Sequence, residues 1–235
     1  MKVLDIRFSL KDKGLHIGFT KVIIDSMIKA ILFDVDGVLL DFFEANYRFM
    51  SDLVAHFGYK RPSRKFFSSI FHHNYYDAIR LLTSLRSEKE LQKIAQYGLG
   101  DQISRYEELQ KLPEKAKETV SLLRKKYLLG IVTSRVKYGV FKHPKLADIV
   151  KEFLVIVSYE DTIKHKPNAD PLLTAAKKLK LNPDEVIYIG DTEIDIQAAK
   201  AAGMKIIIYA KSKIEGADGF AFSFSDLPNL ISTLD

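Results

Sequence analysis

Apolar and polar positions change period several times along the chain, and the changes mark its elements. Leu4, Ile6, Phe8 and Leu10 alternate with polar residues, Lys-Asp-Lys-Gly at 11–14 makes a turn, and Leu15, Ile17 and Phe19 alternate again. Period two on both sides of a Gly-containing turn predicts a β-hairpin within an N-terminal extension, residues 1–26. The competing reading is a plain extension ahead of a domain that begins at Met27. Residues 28–33 (IKAILF) form a short apolar run that stops at Asp34-Val-Asp-Gly, the pattern of a strand buried on both faces. From 43 to 111 the spacing becomes helical and rich in Phe, Tyr, Leu, Lys and Arg. Ser87-Glu-Lys-Glu90 is a capping-box sequence ahead of Leu91 and Ile94.

After Pro113 the alternation is regular. A helix over Pro113–Lys126 leads to a strand at Leu128–Val132, a second strand at Phe153–Val157, and a helix over Pro171–Leu179. A strand at Glu185–Ile189, a helix over Ile194–Ala202 and a strand at Lys205–Tyr209 complete the series. Strands alternating with helices predict parallel βαβ units and an α/β fold with a mostly parallel sheet covered on both faces. Asp34, Asp36, Thr133 and Asp191 each follow the C-terminal end of a predicted strand. In open parallel sheets that edge forms the ligand crevice.

Composition narrows the reading. The chain has 235 residues, 47% hydrophobic and 28% charged, which is enough apolar material for one sizeable core plus an inserted module. No apolar run approaches the ~18 residues of a membrane span, so no membrane partner is expected. There is no cysteine, which excludes disulfides, thiolate metal sites and a cysteine nucleophile. The net charge of +6 suits an anionic ligand but is too small to imply nucleic acid. Charged residues scattered over the first thirteen positions do not make a secretory leader, which points to the cytoplasm.

Each candidate motif has an ordinary explanation when taken alone. Asp34-Val-Asp36-Gly37 puts two carboxylates two residues apart at a strand end, able to hold a hard cation and leave an oxygen free to attack, or simply to make an Asp-rich turn. A calcium loop of the EF-hand type fails, because Val38 and Ala45 stand at its fifth and twelfth positions. Asp191 could cap a helix and Asp195 could be a first-turn acid. Thr133-Ser134 could be a local cap, and Lys164-His165-Lys166-Pro167 a solvated loop. Together they form an ordered series: strand–DxDG, strand–TS, loop–KP, strand–GDxxxD. The gaps are 99 residues from Asp34 to Thr133, 33 to Lys166 and 25 to Asp191.

Through ILFDVDGVLLD (31–41), GIVTSR (130–135), KHKPNADP (164–171) and YIGDTEIDIQAAKAAGM (188–204), the chain resembles the haloacid dehalogenase superfamily, closest to its phosphoglycolate phosphatase-like and pyrophosphatase-like branch. The resemblance covers residues from about 28 to the C-terminus and is only generic over 43–111. It implies a doubly wound, Rossmann-like core (27–42 and 112–235) with an inserted α-helical cap (43–111), hinged near Asp41–Phe43 and Lys111–Pro113.

It also implies roles. Asp34 is the nucleophile that forms an aspartyl-phosphate, and Asp36 is the acid and then the base. Thr133 and Ser134 hold the phosphoryl oxygens, and Lys166 neutralises charge, preferred over Lys164 because it directly precedes the proline. Mg²⁺ is the cofactor, held by Asp34, the Asp36 backbone carbonyl and Asp191, with Asp195 supporting its waters or the Lys166 ammonium. A carboxylate at position 36 argues for phosphoryl transfer rather than dehalogenation.

The implied enzyme is a Mg²⁺-dependent phosphatase for a small phosphorylated metabolite, cytoplasmic and a monomer or homodimer. Alternatives are a β-phosphoglucomutase-like phosphotransferase and a non-catalytic binding protein on the same scaffold. Two stretches depart from the pattern. Residues 1–26 have no counterpart in the generic core, and Leu-Leu-Asp-Phe-Phe makes the start of the cap unusually apolar. Between Asp52 and Asp77 there is no acid, while Lys60, Arg61, Arg64, Lys65, His56, His72 and His73 are all basic or titratable. That stretch reads as a solvated basic face, or else as a surface for a second anionic group on the substrate. Phe66, Phe67, Phe71, Tyr75 and Tyr76 read as cap packing.

Overall fold

The computed structural model describes residues 2–4, 22–24, 27–71, 73, 75–100, 102–141 and 143–235. Strands β1 (Lys2–Leu4) and β2 (Val22–Ile24) pair antiparallel, Lys2 opposite Ile24. The alternating positions Ile6 to Leu10, the 11–14 turn and Leu15 to Phe19 lie outside the described residues, as does His72. The chain then divides into two compact units, 1–40 with 112–235, and 41–111.

The first unit is built on a sheet. Strand β3 (Ala30–Phe33) precedes the helical unit. After that unit come helix α5 (Ala116–Leu123), β4 (Leu128–Val132), the short helices α6 (Lys137–Phe141) and α7 (Pro144–Ala147), and β5 (Val155–Val157). The chain continues through α8 (Asp170–Leu179), β6 (Val186–Gly190), α9 (Glu193–Ala202), β7 (Lys205–Tyr209), β8 (Gly219–Ala221) and α10 (Leu227–Leu234). The four α-helices that precede α5 in the chain belong to the other unit and are lettered αA to αD.

Six strands form one parallel sheet in the order β5-β4-β3-β6-β7-β8. The chain runs outward from β3 to β5 and then returns to the other side of β3 at β6. β3 therefore stands at the switch point, where a crevice opens beyond the strand ends.

Successive strand residues point to opposite faces, and both faces are buried. Ile31, Phe33, Leu129, Ile131, Ile187 and Ile189 pack with Val120 and Leu123 of α5 and with Leu227 and Ile231 of α10. Ala30, Leu32, Val132, Val186, Tyr188 and Ile206 pack with Leu172 and Ala176 of α8 and with Ala198 and Ala199 of α9. Several boundaries differ from the sequence reading. The helix expected from Pro113 begins at Ala116, because Lys115 is in the left-handed region, with φ 63°. The strand expected from Phe153 begins at Val155, after a turn of 3₁₀ helix over Val150–Glu152. Helices α6 and α7 and strand β8, too short to show a period, were not anticipated, and neither was α10, although its Leu227, Leu230, Ile231 and Leu234 recur at helical spacing.

The second unit holds helices αA (Phe43–His56), αB (Arg64–Ile70), αC (Tyr75–Thr83) and αD (Glu88–Leu99). They close around Phe49, Met50, Leu53, Phe67, Ile79, Leu91 and Ile94. Ser63 Oγ accepts from Phe66 N–H at 3.2 Å and Ser87 Oγ from Glu90 N–H at 3.4 Å, capping αB and αD. Phe67, Phe71 and Tyr75 join this core as expected, but Phe66 and Tyr76 face solvent. The basic stretch is partly neutralised within the unit: Arg61 pairs with Asp52, Arg64 with Glu44, and His56 stacks on Tyr97 at 4.3 Å. The two ends of the unit hydrogen-bond to each other, Asp41 N–H to Lys111 O at 2.9 Å and Lys111 N–H to Asp41 O at 3.2 Å.

Strand β4 carries a glycine at its centre. A Cβ at Gly130 would lie 2.6 Å from both Leu32 Cδ2 and Val155 Cγ1. Gly130→Ala should therefore destabilise the protein by about 1–3 kcal/mol in denaturant unfolding, the range for overpacked cores. Strand preference alone, which disfavours Gly, gives the opposite sign.

Candidate active site

The loops after β3, β4 and β6 emerge side by side because these strands are neighbours in register, Phe33 opposite both Ile131 and Ile189. Asp34, Asp36, Thr133 and Asp191 reach one edge of the sheet for that reason, and Lys166 joins them from the loop before α8. All lie in the sheet-bearing unit.

Asp34 is 7% exposed. Its N–H donates to Ile189 O at 2.9 Å, and one carboxylate oxygen accepts from Val35 N–H at 2.7 Å. The other accepts from the Lys166 ammonium at 2.9 Å. Lys166 also donates to Asp195 at 2.7 Å and to the Tyr188 hydroxyl at 2.9 Å, so all three of its protons are directed. Tyr188 is fully buried and donates to Asp195 at 3.1 Å.

Asp195 combines both roles open to it from sequence. Its second oxygen accepts from Thr192 N–H at 3.1 Å, Thr192 Oγ at 2.7 Å and Asp191 N–H at 3.2 Å, which completes a capping box at the start of α9. Thr192, not Asp191, is the cap residue, and Asp191 is left facing the site. Its side chain lies against Gly37, where a Cβ would come 1.9 Å from Asp191 Oδ2. Gly37 also sits at φ +78°, so the turn needs glycine on both counts.

Oxygens of Asp34, Asp191 and Asp195 lie within 4.8 Å of one another. One ammonium faces three buried carboxylates, and the titration follows from that imbalance. Burial raises the Asp34 carboxyl to about 6, against the pull of Lys166 and with a further push from the Asp195 and Asp36 charges. Asp191 is raised well above the carboxylate range by burial and then by the Asp34 and Asp195 charges. For Asp195 burial also pushes up, but Lys166 and the Thr192 hydrogen bonds outweigh it and hold the carboxyl low.

Asp195 has both oxygens engaged, whereas no hydrogen-bond donor reaches the Asp191 carboxylate among the described residues. The Asp34, Asp191 and Asp195 carboxylates offer oxygen atoms of the kind and spacing that can hold a hard divalent cation. The Asp36 side chain stands apart from the group. Its carboxylate is taken by Arg135, with Nε at 3.0 and 2.8 Å from the two oxygens and Nη2 at 2.6 Å from one. Thr133 is buried and its hydroxyl accepts from Arg135 N–H at 3.2 Å, while Ser134 is exposed. Lys164 is also exposed. The sequence reading missed Arg135 and Tyr188. The signal for Arg135 was its place in GIVTSR beside a strand paired to β3; for Tyr188, a hydroxyl within an otherwise apolar strand.

Residues 31–209 match the model of the haloacid dehalogenase-like hydrolases. The chain belongs to that family. This haloacid dehalogenase-like hydrolase is 30% identical over 194 residues to the pyrophosphatase PpaX of Bacillus velezensis, covering 77% of this chain and 82% of that one. It is 39% identical over 87 residues to the phosphoglycolate phosphatase of Escherichia coli K12, 37% of this chain and 34% of the relative. A solved hydrolase of the superfamily, subfamily IA, variant 1, from Geobacter sulfurreducens shares the fold with TM-score 0.70 at 25% identity, over 89% of this chain and 99% of that one. The two curated relatives are named as a pyrophosphatase and a phosphoglycolate phosphatase. No described helix is long and apolar enough to cross a membrane.

The crowded carboxylates generate a stability test. Because the folded protein raises Asp34 from 3.8 to about 6, its contribution is complete below the lower value and is lost as pH rises through the upper one. In EDTA, the melting temperature of the wild type should fall over that interval more than that of Asp34→Asn. At pH 7 in EDTA, Asp191→Asn should melt above the wild type. Mg²⁺ at a hundred times its Kd should stabilise the wild type by about 2.7 kcal/mol and the variant much less. Equal Mg²⁺ shifts in the two proteins would remove Asp191 from the ligand set.

Proposed function

We propose that this hydrolase is a Mg²⁺-dependent phosphatase that transfers the phosphoryl group of a small phosphorylated metabolite to Asp34 and then to water. The observation that carries the reading is the Asp34–Lys166–Asp195 arrangement beside an undonated Asp191. It is a nucleophile, a fixed positive charge and a cation site at the switch point of one sheet.

Each role follows from position. Asp34 is held by Val35 N–H and Lys166, with lone pairs left to attack phosphorus. Lys166 stays cationic, since its pKa is raised by Asp34 and Asp195 against the effect of burial, and it offsets charge gathering on the transferred group. Thr133 and the backbone N–H groups after β4, including that of Ser134, are assigned to the phosphoryl oxygens. Asp36 gives a proton to the departing oxygen. It then takes one from the water that cleaves the aspartyl-phosphate, which returns Asp34 to a carboxylate and Asp36 to its protonated form. The cation, when bound at Asp34 and Asp191 with the Asp36 backbone carbonyl, supplies charge that draws the phosphate to Asp34 and screens the two anions from each other.

The helical unit is inserted between the first two motifs, the place of a cap in the resembling family, and we assign it that part. A cap fits small metabolites rather than polymers. The names of the relatives put pyrophosphate and phosphoglycolate first among candidates to try.

The test is phosphate release from a panel of small esters and pyrophosphate, in Mg²⁺ and in EDTA. Release that needs Mg²⁺ and falls by at least ~10³ in Asp34→Asn is expected, the scale for loss of a covalent nucleophile. An Asp34→Asn protein that keeps most of its activity would overturn the assignment. Sugar-phosphate isomerisation without phosphate release would make the chain a phosphotransferase instead.

A further inference from the structure

The guanidinium of Arg135 grips the carboxylate of Asp36 side-on. Nε and Nη2 both engage it, at 2.6 to 3.0 Å. Two parallel N–H donors on one carboxylate fix its rotation as well as its position, which a lysine ammonium does not do. The grip is itself held. Arg135 N–H donates to Thr133 Oγ at 3.2 Å, and Arg135 O accepts from Tyr159 N–H at 2.9 Å, so the residue is anchored on both sides of its Cα. In the turn after β3, Leu40 N–H to Val35 O at 2.8 Å and Gly37 N–H to Leu40 O at 2.9 Å fix the backbone around Asp36. The backbone places the Asp36 Cα, and among the described residues Arg135 is the hydrogen-bond partner of the carboxylate itself. The Asp36 side chain is 36% exposed and that of Arg135 20%, so water competes for the carboxylate and would let it wander without the fork.

We propose that Arg135 is the positioning residue for Asp36, setting the carboxyl where it meets the leaving oxygen. This rests on the proposed function, in which Asp36 supplies that proton. The step is ordinary bond exchange. The P–O bond to the leaving group breaks as the bond to Asp34 forms, and the Asp36 proton passes to the departing oxygen. A poor leaving group such as an alkoxide needs that proton, while p-nitrophenolate departs as a stable anion. The kinetic constant kcat/KM ends at transfer to Asp34, before the two substrates share a common aspartyl-phosphate. The ratio of kcat/KM for an alkyl ester to that for the aryl ester therefore reads the proton delivery alone. A general structural defect would lower both and leave the ratio in place.

The experiment measures both constants for the wild type, Arg135→Gln, Arg135→Lys, Asp36→Asn and the double variant Asp36→Asn/Arg135→Gln. The esters are glycerol 3-phosphate and p-nitrophenyl phosphate. General acids contribute ~10²–10⁴-fold, and an ångström of misplacement costs ~10²-fold. The expected result is a ratio reduced by roughly 10² in both Arg135 variants, since lysine keeps the charge but loses the fork. The double variant should fall no further than Asp36→Asn alone, because the two residues act as one unit. A ratio unchanged in Arg135→Gln, a full recovery in Arg135→Lys, or additive losses in the double variant would each overturn the proposal while leaving the Asp36 role intact. An unchanged ratio in Asp36→Asn would instead overturn the acid role, and the proposal with it.

Discussion

Three carboxylates and one ammonium in a nearly dry pocket set the terms for everything around them. Lys166 can face only so many anions, and its three protons go to Asp34, Asp195 and the Tyr188 hydroxyl. Asp195 is stabilised a second time by the backbone at the start of α9. That leaves Asp191 with little help, and burial together with the Asp34 and Asp195 charges raises its pKa strongly. Under the proposed function, a bound cation would offset that crowding.

The sheet makes this crowding achievable. Strands β3, β4 and β6 are fully buried and held in register, so the loops beyond them have little freedom in where they begin. Small residues do the close work: Gly37 lets the first loop approach Asp191 to a distance no side chain would tolerate. The rigid scaffold fixes the ends of the loops, and the loops carry the chemistry.

Much of this was legible from the chain because parallel strands have a strong signature. Continuous apolar runs ending in polar residues located Asp34, Thr133 and Asp191, and the order of the runs identified the α/β core. Lys166 was readable through the proline beside it. What escaped the sequence was contact between side chains from distant segments. Arg135 and Asp36 are 99 positions apart, and no local pattern says that one holds the other. Tyr188 looked like one more core residue, because its ring is core and only its hydroxyl belongs to the site. The capping role was shifted by one residue, from Asp191 to Thr192, which period and propensity cannot resolve. Short elements such as α6, α7 and β8 lacked the length to show a repeat.

The helical unit leaves the chain and rejoins it at two residues, Asp41 and Lys111, that are bonded backbone to backbone. Whatever lies between them begins and ends at one point. The entropy of closing that long loop is met locally, at the base, and grows only slowly with its length. The junction therefore behaves as a socket. An insert of different length at this junction would meet nearly the same closure cost, while the main chain entering and leaving the sheet-bearing unit keeps the same two anchor points.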